Sequence, residues 1–98
     1  MVPIKVMEKI AKDLDMDKNE LIEESLKAEI KRRLAAYKFT DYLLSQKYKM
    51  TLKQFEKKKV LAKAKFSFEV EEDYHKWDQA LDAISSLEKN LKLLHNSR

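Results

Sequence analysis

Cysteine and glycine are missing from these 98 residues and proline occurs once, and each shortage removes a class of protein. Without cysteine there is no disulfide, no thiolate nucleophile and no cysteine-ligated metal, a usage that fits a reducing, cytoplasmic setting. Without glycine, the residues suited to tight hairpins, left-handed helix caps and phosphate-cradling loops are almost gone, which disfavours strand-rich and nucleotide-binding architectures. Two histidines are too few to argue for a metal cage. No apolar run approaches the roughly 20 residues that span a bilayer, and Met1 to Val6 lacks the charged and apolar regions of a signal peptide, so no membrane partner is expected.

What remains is rich in charge and aliphatic side chains, with 39% charged and 44% hydrophobic residues. Both signs are interspersed, as on the solvated faces of helices, and the length suits one domain over 1–98 with a modest core. The net charge of +4 permits an acidic partner such as nucleic acid without requiring one. Abundant lysine and glutamate with little asparagine or glutamine also suits a thermophile.

Periodicity predicts an all-α fold of about four helices, roughly 3–14, 17–48, 51–62 and 68–95, arranged as a bundle or an elongated array. Pro3 suits a first helical position, and Val6, Ile10 and Leu14 follow four apart. Asp17 and Glu20 form an acidic variant of the capping box at the second start, with Met16 and Leu21 as a hydrophobic staple. Leu26, Ile30, Leu34, Tyr37, Leu44 and Tyr48 continue the stripe, either as one long helix or with a break near Phe39-Thr40-Asp41. Thr51 with Gln54 marks a third start, and Lys63 to Phe68 reads as an extended connection. Ser67 caps the last helix, Glu69, Glu71 and Glu72 oppose its dipole, and Val70, Tyr74, Trp77, Leu81, Ile84, Leu87, Leu91 and Leu94 form a narrow apolar seam.

Candidate chemistry is thin. Glu71, Glu72, Asp73, His75 and Asp78 share two helical turns, yet an i to i+4 surface ion pair explains them as well as a metal would. Ser85-Ser86 has no base beside it, and His95 lies by a terminus; no enzyme, metal or cofactor is expected. Binding is the better expectation. Phe55, Phe66, Phe68, Tyr74 and Trp77 are either interface anchors or core, and Lys57, Lys58 and Lys59 are either a solvated turn or a cationic finger for an acidic pocket.

Two stretches resemble known families. Val2-Pro3, Val6 to Ala11, Met16 to Ile22 and Ser25 to Ala28 resemble the helices of ribbon-helix-helix proteins, whose dimers read DNA with paired N-terminal strands. Here the sequence begins where that strand would be ending, so the resemblance implies a dimer-forming helical half over 1–48, with Ile10, Leu14, Leu21, Ile22, Leu26 and Ile30 at its interface, and weakens the alternative of a DNA-binding regulator. Leu44 to Thr51, Phe55-Glu56, Ser67 to Tyr74 and Trp77 resemble archaeal antitoxins encoded beside PIN-domain ribonuclease toxins. That likeness implies a partner-binding half over 49–98, in which Phe55, Phe66, Tyr74 and Trp77 fill grooves of the toxin while Lys57, Lys58 or Lys59 approaches its metal-holding carboxylates. A free-standing helical structural module is the remaining alternative.

Overall fold

The computed structural model describes residues 1–97 and places them in five helices: α1 (Ile4–Asp13), α2 (Lys18–Tyr48), α3 (Leu52–Lys57), α4 (Val60–Lys63) and α5 (Phe68–His95). No strand occurs among the described residues, so the all-α expectation holds. None of these helices is long and apolar enough to cross a membrane.

The two long helices, α2 and α5, form an antiparallel hairpin. Lys47 reaches Asp73, Asp41 meets Trp77, and farther along Lys27 and Leu34 share a groove with Leu91 and His95. A helix of 31 residues such as α2 is about 46 Å long. The outcome is a rod of 58 × 25 × 20 Å with a radius of gyration of 19.3 Å, against about 13 Å for a compact chain of this size. At one end, the tip, α3 and α4 fold across the hairpin. At the other, the head, α1 packs on α2 and buries only Ala11.

Helix starts follow the sequence closely. Asp17 Oδ1 accepts from Glu20 N at 2.8 Å, although the reciprocal half of that box is not formed. Thr51 and Gln54 make both halves of theirs, and Ser67 Oγ accepts from Val70 N. Pro3 serves as N-cap of α1 rather than as its first residue. No break occurs at Phe39-Thr40-Asp41: α2 runs through, because packing on α5 outweighs the weak propensity of the aromatic residues there.

Three expectations are corrected. The helix expected over 51–62 is split into α3 and α4, since Lys59 adopts left-handed backbone (φ 53°) and turns the chain. The segment expected to be extended, Lys63 to Phe68, begins with the last residue of α4 and continues as a tight turn in which Phe66 N donates to Leu61 O at 3.0 Å. Alternation over three residues gives no strand without an edge to pair with. Lastly, lack of glycine does not abolish left-handed helix ends. Asp15, Lys49, Lys59 and Lys65 occupy that region, as does Phe66. Behind Asp15, Met16 N donates to Ala11 O and Asp15 N to Lys12 O, the paired bonds that close a helix end.

Candidate functional site

Four aromatic rings fill the tip. Phe55 and Trp77 are the largest fully buried side chains, with Leu44 and Leu52 beside them and Tyr48 and Tyr74 packed against them. Phe55 meets the edge of Tyr48 at 5.0 Å and of Trp77 at 5.5 Å, and stacks on Tyr74 at 5.7 Å. Each polar atom on these rings has an acidic partner. Trp77 Nε1 donates to Asp41 Oδ1 at 2.7 Å, Tyr48 Oη to Asp73 Oδ2 at 2.6 Å, and Tyr74 Oη to Glu56 Oε2 at 3.0 Å. Such pairing lets amphipathic rings sit in a core at little cost.

A charge network fastens the same end. Lys47 Nζ donates to Glu69 and Asp73 at 2.8 and 2.6 Å, tying the last turn of α2 to the first turns of α5. Burial raises the Asp73 carboxyl, but hydrogen bonds from Lys47 and Tyr48 outweigh it and leave the group below its ordinary value. Burial, then the bond to Asp73, pushes the Tyr48 hydroxyl up to about 12. Hydrogen bonds to Asp73 and Glu69 raise the Lys47 ammonium.

The expected contact residues therefore divide. Phe55 and Trp77 lie within the chain's own core, the internal one of the two roles open to them from sequence. Tyr74 is half-buried against Phe55. Lys57 at the end of α3 and Lys58 and Lys59 on the turn to α4 are exposed, and Phe66 and Phe68 are 62% and 82% exposed. Lys59 and Phe66 share a small groove of about 290 Å³ with Val60, Leu61 and Tyr74, whereas Phe68 lies beside Glu71, Glu72 and His75. The Glu71–His75 ion pair is present at 3.8 Å. No group of three or more histidine or acidic side chains converges on a metal position among the described residues.

At the head, Ile10, Leu14, Ile22 and Leu26 remain substantially exposed, as do Ile4 and Val6, while Leu21 and Ile30 are half-buried. Sequence reasoning missed Asp41 and the role of Asp73, which act across the hairpin, and Glu56, which joins α3 to α5; none of these carries a local signal. It also missed a basic groove midway along the rod, where Lys27, Lys31 and Lys38 of α2 come beside Lys92 and His95 of α5. No protein-family model, curated protein or solved structure matches this chain.

Proposed function

We propose that this chain is a non-enzymatic binding protein, an antitoxin that neutralises a PIN-domain ribonuclease in the cytoplasm through the exposed side of the hairpin tip. The observation that carries the reading is the pairing of Lys57, Lys58 and Lys59, exposed and without ion pairs among the described residues, with the exposed ring of Phe66 on the groove that Lys59 also lines. Cations beside an uncovered aromatic ring suit an acidic pocket with an apolar rim, and a metal-binding carboxylate cluster is such a pocket. The likeness of residues 44–77 to antitoxins supplies the partner class. In this reading the lysines compete for the carboxylates that hold the ribonuclease's metal, while the buried aromatics keep the tip rigid.

Self-association through the head belongs to the same proposal. Six large aliphatic side chains from α1 and the start of α2 lie open there, more than a monomer has reason to expose.

The test is inhibition of a PIN-domain ribonuclease, taken from the neighbouring gene that this proposal expects. Intact protein is expected to block cleavage, and Lys57→Ala with Lys58→Ala and Lys59→Ala to weaken the block by about tenfold or more. Inhibition that survives the triple variant, or none from the intact protein, overturns the reading.

A further inference from the structure

The antiparallel hairpin sorts charge along its length. Near the tip the acidic start of α5 meets Lys47 of α2, and opposite charges are paired. Toward the other end of α5 the reverse occurs: Lys92 and His95 come beside Lys27, Lys31 and Lys38, around an open groove of about 570 Å³ also lined by Leu34 and Leu91. Glu88 is the one carboxylate in that lining. Lys27 engages Glu24 at 3.4 Å, and Glu29 is engaged by Arg32 and Arg33. The side chains of Lys31, Lys38 and Lys92 form no ion pair or hydrogen bond among the described residues.

Lys92 and His95 lie in the last turn of α5, where cations complement the helix dipole. That reason does not extend to Lys31 and Lys38, which sit in the interior of α2. Placing them opposite Lys92 costs the hairpin self-repulsion that a bound polyanion would remove. The shape of the charge narrows the ligand. Lys27, Lys31 and Lys38 follow one face of α2 with Leu34 between them, a stripe about 16 Å long. A single phosphate would neutralise only part of it, whereas a row of phosphates follows it. No phenylalanine, tyrosine or tryptophan lines the groove, and its one ring is the His95 imidazole at the end of α5, so the groove lacks the row of rings on which successive bases stack.

We propose that this groove binds the phosphate backbone of a nucleic acid without reading its sequence. The site lies on the waist of the rod, away from both the tip and the head, where lysines and carboxylates alternate in nearly equal number and offer phosphates no cationic row.

The experiment is fluorescence anisotropy of the full chain with labelled single-stranded RNA and duplex DNA, each about 20 nucleotides long and in two unrelated sequences, from about 50 mM salt upward. Binding is expected for at least one form, equal for its two sequences, with log affinity falling against log salt with a slope of about −3. Reversal of the waist by Lys31→Glu, Lys38→Glu and Lys92→Glu should weaken binding by about tenfold or more, and reversal of Lys57, Lys58 and Lys59 at the tip should change it far less. If the waist reversal unfolds the hairpin by circular dichroism, the three glutamine substitutions carry the comparison, with a loss in the same direction. No binding at the lowest salt, a marked preference for one sequence, loss through the tip variant alone, or equal binding of poly-glutamate each overturns the proposal.

Discussion

Trp77 has no exposed surface, and its one polar atom is satisfied by Asp41 from the facing helix. Truncation by Trp77→Ala should destabilise the fold by about 3 to 5 kcal/mol in urea titration. Asp41→Ala leaves a buried N–H unpaired and should cost about 1 to 3 kcal/mol, and an effect near zero would show that water replaces the carboxylate. Asp73 sets the acid limb of stability. Its folded value lies below its unfolded one, so its contribution is complete above about pH 4 and disappears as pH falls through the folded value. Tyr48 has the opposite sign: raised to about 12, it stabilises below its ordinary value and loses that contribution as pH rises through the folded one. Thermal melts across pH should show a plateau falling at both ends, with Asp73→Asn flattening the acid side; an unchanged acid limb contradicts the assignment. The seam spacing of α5 made Trp77 legible as a core candidate. Asp41 was not legible, because its partner is fixed by the register of two helices that no local pattern reports.

Helix starts and helix ends differ in how well the sequence announces them. Asp17, Thr51 and Ser67 each bond the backbone three residues on, as their side-chain chemistry requires. The ends were harder to read, since the usual marker, glycine, is absent and lysine or aspartate takes left-handed backbone instead. That choice costs about 1 to 2 kcal/mol at each such residue, which tertiary packing must offset. Lys59→Gly is therefore expected to stabilise the fold, by about 0.5 to 1 kcal/mol once the greater freedom of glycine in the unfolded chain is subtracted. A lower melting temperature for this variant would mean that the Lys59 side chain makes a stabilising contact that outweighs the backbone cost. The split of α3 from α4 and the turn at 64–66 went unread for the same reason: both hinge on left-handed lysines that look, in sequence, like helix formers.

The whole molecule is a rod with one dense end, a basic waist and a thinly packed head. Its aromatic core gathers at the tip, so the tip should unfold last and the head should exchange its amide hydrogens first. Self-association would cover the head, and sedimentation equilibrium is expected to show a dimer that Leu14→Glu with Ile22→Glu converts to monomer; a wild-type monomer at high concentration contradicts that part of the proposal. Patterning made the helical class and the long hairpin arms legible. It could not tell which aromatic rings the chain keeps for itself and which it leaves in solvent, because Phe55 and Phe66 look alike until α3 and α4 are folded. The separation of a rigid internal core from an exposed cationic edge is tested most directly by calorimetric titration of a PIN-domain ribonuclease, the partner class proposed above, with intact protein and with the triple alanine variant at Lys57, Lys58 and Lys59. The expected result is binding by the intact chain and a loss of about tenfold or more in the variant, with the melting temperature of the variant unchanged. Equal affinity for the two proteins, or no heat of binding from either, would contradict it.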